Sequence, residues 1–389
     1  MHELTRARAK VKSAVLASLG VHSRSWLGWV ATAGGLFLLA VVLGCDDNPS
    51  SELNLPVLQV GPEQAVAPRF DNVVSIDRLT NGTLVVADEG TASITYVAAE
   101  GNQLSRIGRK GQGPGEFQTL RNARRCLGDT VAVSDYGSGH LSLIAQAGFV
   151  RHVALPASVH LGDLVGCVAR GAAIYSRFPA LMPGVGTQWF SISLFSFDFD
   201  TGRLDWIGVL RGTEMSVSQT ASAFFEKPFG VQTLFGVTDS MVIVGQTDEP
   251  FVRLLDLAGT ARIVPLPAMA QRKVSSRDKQ RLTEERLADE GNPVARKDLA
   301  IVLSEAEWGV RQPRYDRLVA QRDGAAWFRT PPEPSDSTAQ WIRVGADGCA
   351  VGTVRIAVGT QVMFADSAHV IGIRTEANGA QRVVLYSLR

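Results

Sequence analysis

Residues 104–118 read LSRIGRKGQGPGEFQ, and three glycines and a proline fall within the seven residues from Gly111 to Phe117. Runs of apolar alternation lie on both sides. Glycine opens backbone conformations that other residues avoid, and Pro114 stiffens what the glycines permit. The stretch therefore reads as a sharp change of chain direction between two strands.

The surrounding sequence repeats the pattern. Asn81-Gly82, Glu100-Gly101, Gly128-Asp129, Asp323-Gly324, Asp347-Gly348 and Asn378-Gly379 separate short alternating runs, as expected of strands joined by tight hairpin turns. NVVSIDRL, TLVVADEG, SITYVAAE and QLSRIGRKG form one unit; LRNARRCL, TVAVSDYG, HLSLIAQA and FVRHVALP form the next. LVVADEGTAS and VAVSDYGSGH correspond almost position by position. Looser units follow, and the last, TQVMFAD, HVIGIRTE and QRVVLYSL, has three strands. Four strands per unit at a spacing of about 40–50 residues is the pattern of propeller blades. The sequence thus predicts an all-β six-bladed β-propeller. LNLPVLQV at 53–60 belongs to no unit, and is assigned as the fourth strand of the last blade, since an unpaired edge there would be exposed.

GRKGQGPGEF then becomes the crossover from the outermost strand of one blade to the innermost strand of the next. With VVADEG before it, the stretch resembles NHL-type repeats and the six-bladed propeller lipoproteins of bacteria. The resemblance is specific in the first two units and again at RQPRYDRLVAQRDGAAWF.

Two segments interrupt the repeats. Residues 211–228 read as a polar link between the third and fourth blades. Residues 271–309, dense in Arg, Lys, Glu and Leu, read as a helical insertion between blades four and five, divided at Gly291-Asn292-Pro293, with Ser276 as the first cap. Its helices are expected on the propeller, over or beside the channel mouth.

The first 45 residues stand apart from the fold. Arg6, Arg8, Lys10, Lys12 and Arg24 precede an uncharged run from Trp26 to Gly44, the layout of a secretory signal. Val42-Leu43-Gly44-Cys45 resembles a bacterial lipobox, which implies lipidation at Cys45, a tether over 46–52 and a propeller over 53–389. The expected location is the cell envelope, facing the periplasm or exterior, with the membrane as partner through that lipid. An uncleaved membrane helix is the alternative. Removal of five basic residues and one acid would take the formal charge from +1 to −3; no nucleic acid partner is indicated.

Of the remaining cysteines, Cys126 and Cys167 precede turns in neighbouring repeats. A bridge would need Cα atoms within about 7 Å, and buried free thiols are the default reading. Asp71, Asn72, Asn122, His160, Asp163 and Asp316 lie near starts of innermost strands, where they could line the channel and offer oxygen ligands to Ca2+. The bland reading, that they satisfy turn backbones, is preferred, so no metal site is assigned. Asp88 and Asp135 occupy one repeated place and read as turn acceptors. Arg69, Arg121, Lys227 and Arg314 also precede innermost strands and could form a cationic collar. HExxH, HxH and GxSxG patterns are absent from the sequence.

The leading expectation is a monomeric, lipid-anchored, non-catalytic propeller that binds a protein, peptide or glycan ligand of the envelope on one face. A metal-dependent lactonase or lyase with a divalent ion in the channel is the alternative.

Overall fold

The computed structural model describes residues 55–389 apart from 127, 137, 160–161, 169–170, 179–185, 219 and 221–222. The leader, Cys45, the tether and His160 lie outside the described residues.

The described strands form six antiparallel sheets, five of four strands and one of five. Their first strands are Val73–Arg78, Leu120–Arg125, Asp163–Val168, Thr233–Val237, Arg317–Ala320 and Gln361–Ala365. Each packs beside the next, and the sixth returns to the first, so the circuit closes. The core is divided accordingly. Six apolar clusters each straddle one pair of neighbouring sheets, for example Leu141, Val153, Leu164 and Phe197 between sheets two and three. A strand held between two such clusters is covered on both faces, and continuous apolar runs follow. Leu84–Asp88, Val131–Asp135 and Val242–Gln246, the second strands of sheets one, two and four, are buried at every residue.

The opening stretch is a crossover between sheets one and two, ordered around Phe117, which is fully buried. Gly108 has φ 102°, and a Cβ there would stand 2.6 Å from the Phe117 ring. The Glu116 carboxylate folds back to accept from the Gly113 N–H (2.9 Å) and Arg109 Nε (2.7 Å); those bonds hold it below the usual carboxylate pKa. Phe70 and Tyr315 sit in the corresponding places before the first strands of sheets one and five, and both are buried.

Asp88 accepts from the backbone N–H groups of Asp71, Asn72 and Gly90 and from Thr91 Oγ1. Asp135 accepts from Gln118 and Thr119 N–H. Each carboxylate ties a second strand to the entry of its neighbouring first strand, as the repeated position implies.

An N-terminal strand does complete the last sheet, but it is Gln64–Phe70, paired with Gln381–Ser387, and not residues 53–60. Its outer face is solvated and Pro68 lies within it, so alternation is weak and proline argues against a strand. Both features suit an edge, where proline is tolerated, and the register shifts between Ala65 and Arg69. The described part of 53–60 is a strap. Leu58 N–H reaches Thr353 O on the outer strand of sheet five (2.9 Å), and Gln59 N–H reaches Arg389 O (2.9 Å).

Residues 211–228 also differ from the reading as a link. The outer strand Leu204–Ser218 continues through them, and Ala223–Glu226 adds a fifth strand at the edge of sheet three. The polar alternation there is that of a ribbon extending past the neighbouring sheets. Of the two helices, α1 (Ser276–Asp289) and α2 (Pro293–Glu305), α2 packs on this extension, and α1 packs on α2 and reaches the extension through Arg286. Ser275, one residue before the expected cap, closes a capping box with Asp278, while Asn292 caps α2 and Pro293 opens it. Leu299, Val302 and Leu303 supply the buried face.

Candidate functional site

The first strands run inward from the crossovers and end at the turns that lead to the second strands. At that turn end they surround a cavity of 410 Å³ to which all six sheets contribute. Backbone and apolar groups of Gly166, Phe235, Gly236, Leu318, Val319 and Met363 form much of the wall. The charged groups are Arg78, Arg124, Arg125 and Arg322 against Asp77, Asp323 and Asp366. The helices lie at the crossover end, so this cavity opens on the face opposite to them.

Most of the charges are matched. Arg78 Nη1 donates to Asp366 at 3.0 Å, joining sheets one and six. Asp77 accepts from its neighbours' backbone, Arg78 N–H and Arg125 N–H, both at 2.8 Å. Arg322, in a turn of sheet five, reaches across the opening: it donates to the Arg125 carbonyl on sheet two, approaches Asp77 at 4.0 Å and donates to Asp239 on sheet four at 3.1 Å. The guanidinium of Arg124 has no hydrogen bond or ion pair among the described residues. Its remaining accessible area faces the channel. Removal from bulk water holds its pKa below the ordinary arginine value; Asp77 opposes that shift and Arg322 adds to it. Arg78 Nε, Arg125 Nε and the amide nitrogen of Gln321 are further buried donors without partners.

The described residues among those expected to line the channel, Asp71, Asn72, Asn122, Asp163 and Asp316, are not among the residues that line this cavity. Asp71 and Asn72 are exposed at the entry to sheet one, where Asn72 donates to Glu89 (2.9 Å). Asn122 donates to the Leu164 carbonyl at 2.8 Å, and Asp316 takes Arg329 in a two-point pair at 2.7 and 2.8 Å. Asp163 begins the first strand of sheet three at the crossover end. The expected collar also dissolves into local contacts. Arg69 pairs with Glu376, Arg121 lies over the Tyr136 ring, Lys227 pairs with Glu214, and Arg314 donates to the Asp248 and Met269 carbonyls. The basic cluster that does form stands at the other end of the same strands. Its trace in the sequence is a basic residue at the close of the first strand or its turn in SIDRL, ARRCL and AQRDG.

Cys126 and Cys167 are not free thiols. They form a disulfide with Cα atoms 5.0 Å apart, linking the first strands of sheets two and three beside the cavity.

Radial sheets around a shared channel define the architecture, and a solved structure shares the fold. A member of the DUF4221 family from Bacteroides vulgatus aligns with a TM-score of 0.51 at 14% identity, over 87% of this chain and 99% of that chain. The chain is a β-propeller. Virginiamycin B lyase from Staphylococcus aureus aligns at 8% identity and a TM-score of 0.41, over 85% of this chain and 100% of that chain. At 14% identity the first likeness is one of fold alone. Neither a known family nor a curated protein matches the sequence of this propeller.

Proposed function

We propose that the chain is an exported six-bladed propeller, lipid-anchored at Cys45, that binds a protein, peptide or other envelope ligand without catalysis at the channel mouth opposite its helical insertion. One observation carries the reading: all six sheets contribute to a single concave site in which apolar walls surround a few converging polar groups, the usual form of a ligand site. The Cys126–Cys167 disulfide supports export, since such bonds persist in oxidising compartments.

The test pairs two variants. Ser367 is exposed on the cavity rim, so Ser367→Trp obstructs the mouth without touching the core. Capture from detergent-extracted native envelope should recover a partner with the parent and lose it with Ser367→Trp; equal recovery would remove the channel from the proposal. Cys45→Ser should leave the membrane fraction or accumulate as unprocessed precursor, and unchanged fractionation would sink the lipid anchor. A stoichiometric divalent metal in the purified mature protein would turn the reading toward a lactonase or lyase.

A further inference from the structure

We propose that the channel mouth is an oxyanion site, in which Arg124 and Arg322 hold a carboxylate or phosphate group of the ligand. The inference deepens the binding role proposed above and rests on the channel as its location.

Four arginines and three aspartates line the cavity, so the lining carries a formal excess of one positive charge. The hydrogen bonds show where the excess sits. Asp366 is engaged by Arg78, while Asp77 accepts from two backbone N–H groups and remains the anion that faces both Arg124 and Arg322. Asp323 is paired with Arg343 at 3.6 Å. Arg322 is shared among a carbonyl, Asp77 and the exposed Asp239. Arg124 makes no side-chain hydrogen bond among the described residues; it lies in the field of Arg322, and the one charge that opposes this, Asp77, is shared with Arg322.

Two cations in one partly dehydrated cavity repel each other, and a guanidinium withdrawn from water is costly when no acceptor takes its hydrogen bonds. A protein that retains this arrangement holds donors ready for an anion. The planar guanidinium fork fits carboxylate and phosphate oxygens equally, and charge-assisted bonds of this kind are strong where water is scarce. The Gln321 amide nitrogen, buried and unpartnered at the same mouth, is an additional donor. Arg322 also bridges sheets two and five, which stand opposite in the ring, so an anion that engages it would bind where the opening is spanned.

The experiment uses the mature protein with inorganic phosphate in one arm and malonate in the other, each against chloride at matched ionic strength. Saturable thermal stabilisation of several degrees is expected in at least one arm; the responding arm identifies the oxyanion class. Arg124→Met should raise the melting temperature without ligand, because it removes a partly dehydrated cation that shares Asp77 with Arg322 and makes no hydrogen bond of its own, and should weaken anion binding at least 10-fold. Arg322→Gln should weaken it as well, whereas Arg69→Gln, outside the cavity, should not. Absence of a saturable shift in both arms, or undiminished binding by Arg124→Met, overturns the proposal. A ligand-free Arg124→Met protein that melts below the parent also overturns it, by showing that Arg124 is already compensated. Envelope capture that persists while both anions fail would leave the binding role standing and sink the oxyanion site alone.

Discussion

A mature chain starting at Asp71 is expected to lose cooperative folding and aggregate, whereas one starting at Pro62 should still fold, with a smaller loss of stability. The first truncation removes Gln64–Phe70, the outer strand of the last sheet. Four paired positions with Gln381–Ser387 disappear, and the buried Val66 and Phe70 leave the cluster between sheets six and one. At about 1 kcal/mol per net hydrogen bond and about 2 kcal/mol per buried side chain, the loss is on the order of 8 kcal/mol. That is comparable with the whole stability of an ordinary domain, about 5–15 kcal/mol, and the vacated strand is an open edge. The second truncation removes the strap alone: five backbone hydrogen bonds to Thr353, Ser387 and Arg389, about 5 kcal/mol, and the packing of Leu55, Leu58 and Val60 on two core clusters, all of which the first truncation loses as well. Circular dichroism melts of the two truncations separate the possibilities. Parent-like melting of the shorter chain would show that the ring does not depend on Gln64–Phe70.

The Cys126→Ala/Cys167→Ala protein should be the next most affected. The two sulfurs are 41 residues apart in sequence, and loop-closure entropy for that separation corresponds to about 4 kcal/mol. The bridge joins first strands at an interface that also contains Leu164 and Val159, so its loss is felt across the seam between sheets two and three. Guanidinium unfolding of the parent with and without a thiol reductant, beside the double variant, measures the effect. The reduced parent should approach the variant, and coincident midpoints for all three would contradict a stabilising bridge.

Much of the architecture was legible because hairpins require special backbone geometry. Gly82, Gly101, Gly128, Gly324, Gly348 and Gly379, each in a turn read from sequence, all have positive φ. Asp88 and Asp135 were readable for a related reason, since one acceptor serves one repeated turn. The closing strand was misplaced because an edge needs neither strong alternation nor freedom from proline, while the more apolar 53–60 segment has the composition of a strand without occupying a sheet. The basic site was less legible still. Arg78, Arg124, Arg125 and Arg322 come from three sheets, and only ring closure brings them together, at the end of the first strands opposite to their starts. The disulfide was treated as the less favoured reading for the same reason: spacing alone does not bring two first strands within reach.

The fifth strand of sheet three changes what the helices mean. Ala223–Glu226 would present unused backbone groups to any passing chain, yet α2 packs along it, and Arg286 of α1 donates to the Glu226 carbonyl at 2.8 Å. Glu305, just before the end of the helical pair, also accepts from Ser218 at 2.6 Å. Covering an edge in this way prevents one molecule from templating on another. The ribbon and the helices, separated in sequence by all of sheet four, are therefore a single accretion in two pieces. Without the helices the strand would be a self-association hazard, and without the strand the helices would have no platform for their apolar face, so neither piece is separable from the other.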